Sequence, residues 1–365
     1  MSASRVGIVG AGQLGRMLAL AGYPLGIRCV FLDCSAQAPA AQVAPILTGD
    51  LTDPVQLAAL AAGSDVVTFD WENISGKALA PLERLTLVRP PRAALEVSQD
   101  RLAEKSLFLK LGVPVAAHAP VDTREQLAST IRKLGVPGIL KTRRLGYDGK
   151  GQFVLKDVAA IDAAWLAIGG DGLIYEKFLD FSREVSLVAV RSAAGKILFY
   201  PLSENHHNRG ILHYGIAPFT NLKLERAARR CMQRVMHALE YVGVLAIEFF
   251  VVKGRLVANE MAPRVHNSGH WTIEGCVTSQ FENHLRAICD LPLGSTRALG
   301  HTAMINFLGE MPDCGRLLGI DGLKFHDYGK EPRPGRKLGH CTIIKPRAAE
   351  RNAALAQALK LIRWA

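Results

Sequence analysis

The chain has 365 residues, of which 49% are hydrophobic, and a formal net charge of +11 at pH 7. This length allows two or three domains with ample buried core. No uninterrupted apolar run approaches the roughly 18 residues of a membrane span. The positive charge favours anionic partners. Because the basic residues are dispersed and no aromatic-rich RNA-binding signature accompanies them, we expect small nucleotide ligands rather than nucleic acid or a membrane.

The cysteines and the first residues indicate the compartment. There are seven cysteines, scattered along the chain and without any Cys-x-x-Cys pair. This pattern favours a reducing cytoplasm over disulfides or a zinc site. A predicted strand follows directly after Arg5, so no signal peptide is expected. We predict a cytoplasmic protein.

The first hundred residues predict an α/β unit, with strands at 6–9 and 28–33 around a helix at 14–20. Residues 10–15 (Gly-Ala-Gly-Gln-Leu-Gly) fit the dinucleotide fingerprint, and Asp33 lies where a ribose-binding acid is expected. A nicotinamide site is therefore an alternative for this turn, although it leaves the later motifs unexplained.

Residues 66–74 predict another buried strand that ends in polar groups, where open α/β sheets bind ligands. An alanine-rich segment at 58–62 predicts a helix. A further helix is predicted to begin near Asp100 and to open a second domain. Residues 101–105 of that helix have the composition of a solvated, salt-bridged surface, so Arg101 has no assigned role from composition alone.

Residues 138–141 predict a short strand, which a basic loop at 142–152 separates from another strand at 153–155. The loop holds three glycines that let backbone amides approach phosphate oxygens closely: Gly146, Gly149 and Gly151. Because a strand and not a helix follows, the loop differs from a P-loop. It fits a lid over a triphosphate, although a basic hairpin turn would look similar.

Two further strands are predicted at 173–179 and 184–190. Glu176 could meet an adenine edge, and Glu184 could accept hydrogen bonds from ribose hydroxyls. Either residue taken singly could equally be a charged group at a strand end.

Strands at 244–252 and 256–260 predict a hairpin that carries two acidic residues. Glu248 interrupts an apolar run and Glu260 ends the second strand, with Asn259 beside it. A carboxylate within an apolar strand is costly unless a cation meets it. Oxygen ligands converging from neighbouring strands suit Mg²⁺ that carries nucleotide phosphates; a pair of solvated strand carboxylates is the alternative.

The segment that follows, residues 262–271 (Ala-Pro-Arg-Val-His-Asn-Ser-Gly-His-Trp), is dense in hydrogen-bond donors and predicts an anion-binding or substrate-binding loop. His266 and His270 are four residues apart, a spacing that aligns metal ligands only on a helix. Pro263 and Gly269 argue against a helix there, so we do not favour zinc.

In this order and spacing, these pieces resemble the ATP-grasp superfamily and, within it, the 5-(carboxyamino)imidazole ribonucleotide synthases. The most specific segments are 146–152 (Gly-Tyr-Asp-Gly-Lys-Gly-Gln), 262–271 and 334–340 (Pro-Gly-Arg-Lys-Leu-Gly-His). The resemblance implies an α/β and α+β chain. A Rossmann-like preATP-grasp domain would span 1–100. An ATP-grasp domain would span 101–293, with its lid at about 110–178, and a small β-rich C-terminal cap would span 294–365.

The resemblance also implies roles for particular residues. The reacting centre would contain Tyr147, Asp148, Lys150, Lys330 and Arg336. ATP would contact Arg101, Lys141, the segment Gly146, Tyr147, Asp148, Gly149, Lys150, Gly151 and Gln152, then Glu176, Lys177, Phe178, Leu179, Glu184, His207, Asn259 and Glu260. The ribonucleotide would contact Gln13, Leu14, Glu72, Arg264, His266, Asn267, Ser268, Arg336 and Lys337. Glu248 and Glu260 would bind Mg²⁺.

The implied reaction is the ATP-dependent carboxylation of 5-aminoimidazole ribonucleotide by bicarbonate, through carboxyphosphate, in de novo purine biosynthesis, with a homodimer as the expected assembly. The alternatives are another ATP-grasp ligase, such as a formate-dependent glycinamide ribonucleotide transformylase, or a non-catalytic nucleotide-binding protein. Two positions depart from the pattern. Asp70 stands where such proteins usually carry glutamate, and Lys150 stands where some carry arginine.

Overall fold

The computed structural model of the chain describes residues 4–74, 76–146 and 150–364. Within these ranges the strands form three sheets. None of the described helices is long and apolar enough to cross a membrane. The predicted residues Tyr147, Asp148 and Gly149 lie outside the described residues.

The N-terminal region is a parallel sheet flanked by helices. Its elements are β1 (Arg5–Val9), α1 (Gln13–Gly22), β2 (Arg28–Asp33), β3 (Ile46–Thr48), α2 (Pro54–Ala62), β4 (Val66–Phe69), α3 (Gly76–Leu82), β5 (Leu87–Val88) and α4 (Arg92–Ser98). The strand order is β3-β2-β1-β4-β5. All pairs are parallel, so the glycine turn after β1 and the polar residues after β4 meet at one edge of the sheet.

A second, four-stranded antiparallel sheet carries the predicted lid. This region contains α5 (Arg101–Lys110), β6 (His118–Val121), α6 (Arg124–Leu134), β7 (Gly138–Thr142), β8 (Gln152–Leu155), α7 (Ile161–Ile168) and β9 (Leu173–Lys177). The strand order is β6-β9-β7-β8, and α6 and α7 pack on it around Leu127, Leu140 and Ala164. The glycine-rich loop joins β7 to β8, as the sequence predicts.

The rest of the chain builds the central sheet. Its elements are β10 (Arg183–Arg191), β11 (Ile197–Phe199), β12 (Ser203–Asn208), β13 (Ile211–Ala217), α8 (Leu222–Ala238), β14 (Gly243–Val252), β15 (Arg255–Ala262), α9 (Thr272–Gly275), α10 (Gln280–Ile288), β16 (His301–Leu308), α11 (Cys314–Leu318), β17 (Leu323–Asp327), β18 (Lys337–Lys345) and α12 (Ala348–Leu359). The main order is β15-β14-β10-β12-β13-β16-β18-β17. Because β16 pairs with β13, the C-terminal strands extend this sheet; the predicted domain boundaries stay a prediction.

Two predicted strands are too long. The strand predicted over 66–74 ends at Phe69, because its partner β1 ends opposite, at Val9. Asp70 and the residues after it form a loop instead. The strand predicted over 173–179 ends at Lys177, which pairs with Gly138, the first residue of β7. In both places the partner strand ends before the apolar residues of the predicted strand do, so the last residues have no strand to pair with.

The predicted acidic hairpin is present. β14 and β15 are joined by Lys253 and Gly254, both with positive φ, which is the geometry of the tight turns that suit twisted hairpins. Glu248 and Glu260 are direct cross-strand partners. A register shift follows Glu248, and such bulges re-aim side chains near sites.

One buried histidine joins the N-terminal sheet to the central sheet. His284 of α10 lies 2.8 Å from the Thr68 hydroxyl in β4 and accepts a 3.1 Å hydrogen bond from the Val244 amide in β14. Burial lowers its pKa to about 3. In the unfolded chain the same side chain has a pKa of about 6.5. The neutral His284 therefore stabilises the fold fully above pH 6.5, and this contribution is lost as the pH falls from 6.5 towards 3.

We therefore expect stability to fall on acidification between pH 6 and 4, with His284 contributing up to about 1.4 kcal/mol per pH unit. Thermal or urea unfolding of His284→Gln across this range should show a shallower slope than the wild type. The exposed His237 of α8 provides the control, since His237→Gln should follow the wild type. An unchanged slope in His284→Gln would contradict this assignment.

Candidate active site

A cavity of about 760 Å³ lies where the N-terminal sheet, the acidic hairpin and the C-terminal segment meet. Predicted site residues from all three regions line it: Gln13, Leu14, Glu72, Arg101, Gly146, Lys150, Glu260, Arg264, His266, Asn267, Lys330, Arg336 and Lys337. The two that are farthest apart in sequence, Gln13 and Lys337, are separated by 324 positions (337 − 13). The fold thus brings the three separate motifs to one cleft.

The glycine turn after β1 is held from within the protein. Asp33 accepts hydrogen bonds from the amides of Ala11 at 2.8 Å and Ser35 at 2.9 Å. Each carboxylate oxygen therefore accepts a backbone hydrogen bond, while Asp33 also lines the cavity. The acid that the nicotinamide alternative needs has a structural role, which argues against that alternative.

Asp70 lies beneath the same turn. It is 8% exposed, and a Cβ on Gly12 would lie 2.6 Å from its Oδ2. Burial raises the pKa of Asp70 and outweighs the groups that lower it, which are the amides of Gly15 and Gly12 and the cations Arg264 and Lys330. The shorter side chain thus supports the turn from below, and the turn needs glycine because Asp70 fills the space of a side chain.

The predicted substrate loop is fixed by polar pairs. Asn267 and Asn306 exchange reciprocal amide hydrogen bonds of 3.0 and 2.8 Å. Gln280 donates to the His266 carbonyl and accepts from the His266 amide. Arg264 forms a 2.8 Å ion pair with Glu72, which links the loop to the N-terminal sheet. Such anchors hold a binding loop in one geometry before a ligand arrives.

The segment forms a loop that contains a short 3₁₀ turn, Asn267–Gly269. His266 caps this turn, and its Nδ1 lies 2.9 Å from the Ser268 hydroxyl. The His270 Nδ1 lies 3.0 Å from the Asn267 amide nitrogen. Across the parts of the chain that the structure describes, no group of three or more His, Cys, Asp and Glu side chains could hold a metal ion by itself.

A cluster of opposite charges lies between α5 and the four-stranded sheet β6-β9-β7-β8, which we call the lid sheet. Lys141 of β7 donates to Glu176 Oε2 at 3.1 Å, and Lys105 of α5 lies 3.3 Å from the same oxygen. Burial opposes ionisation of Glu176, but Lys141 and Lys105 outweigh it and hold its pKa at about 2. The other oxygen, Oε1, is buried and has no hydrogen-bond partner among the residues that the structure describes.

The acidic hairpin concentrates negative charge beside this cluster. Burial is the main reason that the pKa of Glu248 is raised to about 7. The charges of Glu260 and Glu184 also raise this pKa, whereas His207 lowers it. Burial also opposes ionisation of Glu260, but Arg101 at 3.1 Å outweighs it and lowers the pKa. Two facing carboxylates that repel each other fit a divalent cation, because Mg²⁺ in nucleotide sites commonly binds one or two carboxylates together with phosphate oxygens.

His207 lies in β12, which β10 separates from the hairpin strand β14. Its Nδ1 is 2.9 Å from Glu184 Oε2. Burial would lower the pKa of His207, but the hydrogen-bonded Glu184 and the nearby Glu248 raise it. The two carboxylates thus favour the protonated imidazole close to the predicted metal ligands.

The C-terminal segment meets the glycine turn directly. Lys330 donates a hydrogen bond to Gln13 of α1, so a residue of the predicted cap contacts the N-terminal region. Arg336 donates to the Glu331 carbonyl at 3.1 Å and lines the cavity. Across the cleft, Arg101 donates to the Gly146 carbonyl at 3.2 Å, so the cavity is cationic on several sides.

Some predicted residues lie outside the cavity wall. Gln152 is exposed and pairs with Lys141 at the start of β8, next to Gly151. Lys177 donates to the Val136 carbonyl at 3.3 Å. Phe178 is exposed, Leu179 is half-buried and Ser268 is buried. The roles predicted for them, and for the whole set, stay predictions.

Several buried polar residues of this site are not predicted from the sequence. Glu104 is 2% exposed and accepts a 2.7 Å hydrogen bond from the Met261 amide; burial, with Glu260 adding to it, raises its pKa to about 8. Lys105, Gln280 and Asn306 are also buried. Among these residues, only the charged pair at 104 and 105 in a predicted helix could have indicated a buried polar cluster. The same pair is equally typical of a solvated helix face.

Comparison with known proteins agrees with this arrangement. Three family models match: Ribonucleotide synthetase preATP-grasp domain at residues 3–99, ATP-grasp domain at 106–281, and Phosphoribosylaminoimidazole carboxylase C-terminal domain at 302–354. The N5-carboxyaminoimidazole ribonucleotide synthase of Pseudomonas aeruginosa is 45% identical over 358 residues, covering 98% of this chain and 99% of that protein.

Solved structures are also similar to this chain. The N5-carboxyaminoimidazole ribonucleotide synthetase of Thermus thermophilus has a TM-score of 0.95 and 48% identity, with 99% of both chains covered. The synthase of Aspergillus clavatus, solved with ADP and 5-aminoimidazole ribonucleotide, has a TM-score of 0.92 and 30% identity, with 98% of both chains covered. The predicted fold class is confirmed. The chain belongs to the N5-carboxyaminoimidazole ribonucleotide synthase family of ATP-grasp proteins.

Proposed function

We propose that the protein converts 5-aminoimidazole ribonucleotide, bicarbonate and ATP into N5-carboxyaminoimidazole ribonucleotide, ADP and phosphate, a step of purine biosynthesis. The observation that carries this proposal is the single cleft in which the glycine turn, the loop at 264–268 and the acidic hairpin converge. The synthases to which the chain is similar, one of them solved with ADP and 5-aminoimidazole ribonucleotide, support the same substrates.

The chemistry requires activation, because bicarbonate is a poor electrophile and the amine of an aminoimidazole is a weak nucleophile. A bicarbonate oxygen attacks the γ-phosphorus of ATP, and the bond to the β-phosphate oxygen breaks to release ADP. The amine then attacks the carbon of the resulting carboxyphosphate, or CO₂ released from it. Phosphate leaves, the amine loses a proton and a carbamate forms. Because negative charges crowd together, fixed cations supply much of the stabilisation.

ATP is proposed to bind between the lid sheet and the hairpin. Lys141 and Arg101 would contact phosphates, and His207 would add positive charge from β12. Glu176 would meet the adenine edge, which fits an Oε1 that is buried and unpartnered within the described ranges of the chain. Glu184 would accept hydrogen bonds from the ribose. Glu248 and Glu260, with Asn259 beside them, would hold Mg²⁺. The ion supplies charge neutralisation for the phosphates.

The ribonucleotide is proposed to occupy the side of the cleft formed by the N-terminal sheet. The amides of the glycine turn and the start of α1 suit a 5′-phosphate. Glu72, Arg264, His266 and Asn267 would hold the sugar and the base. Lys330, Arg336 and Lys337 would approach from the C-terminal segment, and Tyr147, Asp148 and Lys150 from the lid. The homodimer stays a prediction.

ADP release is the assay that tests this function. We expect release only when 5-aminoimidazole ribonucleotide, bicarbonate and ATP are all present, with product formed in equal amount. In a parallel reaction, formate and glycinamide ribonucleotide replace the proposed substrates. Faster product formation with that pair would favour the transformylase alternative, and nucleotide binding without any turnover would favour a non-catalytic protein.

A further inference from the structure

Lys105 is a buried cation that has no role in the reaction described above. It lies in α5, and its side chain is 2% exposed, compared with 10% for Lys141. Its ammonium lies 3.3 Å from Glu176 Oε2 and donates to the Asn259 carbonyl at 3.4 Å. A fully buried ammonium is costly unless it is paired. Its partners here are a proposed adenine ligand and the strand residue before Glu260.

The two lysines share one oxygen. Lys141 Nζ lies 3.1 Å from the same Oε2 of Glu176 that Lys105 contacts. They approach it from different elements, because Lys141 is on the lid sheet and Lys105 is on the helix that packs against β15. Lys141 is proposed to bind a nucleotide phosphate, and an ammonium that turns towards a phosphate weakens its contact with a carboxylate. Without a second ammonium in contact with it, the buried charge of Glu176 would then face only the neutral adenine.

We propose that Lys105 is a positioning residue that keeps Glu176 paired and thereby frees Lys141 to bind nucleotide phosphate. This inference rests on the proposed function. It has a specific consequence: loss of Lys105 confines Lys141 to Glu176, so the variant loses the part of the affinity that comes from phosphate. Adenosine, which has no phosphate, should bind almost as before.

The test compares the dissociation constants of ADP and adenosine by calorimetry, or by competition where adenosine binds weakly. In Lys105→Met, we expect ADP affinity to fall about tenfold or more, as is usual when one partner of a buried charge pair is removed. Adenosine affinity should change by less than about threefold. Lys110→Met, at the exposed end of the same helix, is the matched control and should leave both affinities unchanged.

A double variant separates this role from simple packing. Lys105→Met combined with Glu176→Gln removes the carboxylate that confines Lys141, so the ratio of ADP to adenosine affinity should recover towards the wild-type ratio. Thermal melts report whether each variant is folded. Equal losses for ADP and adenosine in folded Lys105→Met, or a ratio that the second change does not restore, would overturn the inference.

The binding assay also keeps the two proposals apart. A wild-type protein that binds no ADP would overturn the proposed function together with this inference. A wild-type protein that binds ADP and carboxylates the ribonucleotide, while Lys105→Met binds ADP normally, would overturn the inference alone.

Discussion

Glu260→Gln is expected to lower ATP turnover by about a hundredfold or more while the protein stays folded. The substitution removes one of two facing carboxylates, and the loss of a preorganised electrostatic contact at a reacting centre commonly costs 10²–10³-fold in rate. Stability should be retained, because glutamine has nearly the same shape and its neutral amide relieves the repulsion with Glu248, whose pKa Glu260 helps to raise.

ADP release at saturating Mg²⁺ and a thermal melt measure the two effects. Glu125→Gln, on the exposed face of α6, serves as the control for loss of a carboxylate elsewhere. Turnover of Glu260→Gln near the wild-type value would remove Glu260 from the metal site. A large fall in melting temperature would show instead that its ion pair with Arg101 stabilises the fold.

Gly12→Ala should raise the ribonucleotide concentration required for half-maximal rate by up to about a hundredfold and leave the requirement for ATP near its wild-type value. The new Cβ would lie 2.6 Å from Asp70 Oδ2, a distance that forces the turn or the carboxylate to shift. Displacing a positioning element by about 1 Å can cost 10²-fold. ATP is proposed to bind on the other side of the cleft, beyond the displaced turn.

The matched control is Gly63→Ala at the end of α2, where the nearest atom to a new Cβ is 3.8 Å away. Steady-state kinetics with each substrate varied in turn measures both requirements, and a titration of the wild type with NADH tests the nicotinamide alternative. If Gly12→Ala changed the ATP requirement and left that of the ribonucleotide alone, the two substrates would have to exchange places in the cleft.

Local patterns predicted the elements well where neighbours in sequence are also neighbours in space. The hairpin at Glu248 and Glu260 and the loop between β7 and β8 are of this kind, since their turn residues and apolar runs determine the pairing. The fingerprint at residues 10–15 shows the limit of a local pattern. It predicted a glycine turn after a strand, but Asp33, which fits the same fingerprint, accepts hydrogen bonds from the turn itself.

Long-range pairing could not be predicted in the same way. No local pattern specifies that β16 joins β13, so the C-terminal strands could not be placed in the central sheet. The same holds for side-chain partners. Lys105 and Glu176 are 71 positions apart (176 − 105), and nothing in either segment indicates the other. Family resemblance supplied the outer residues of the site, whereas the buried ones that support them became visible only in three dimensions.

The fate of the bicarbonate oxygens shows whether ATP activates bicarbonate by phosphorylating it. Bicarbonate labelled with ¹⁸O is supplied with ATP and 5-aminoimidazole ribonucleotide, and the released phosphate is analysed by mass spectrometry. If ATP activates bicarbonate by phosphorylating it, one labelled oxygen passes to each phosphate as the C–O bond of carboxyphosphate breaks. Phosphate released without label, in amounts equal to the carboxylated product, would show that ATP does not phosphorylate bicarbonate.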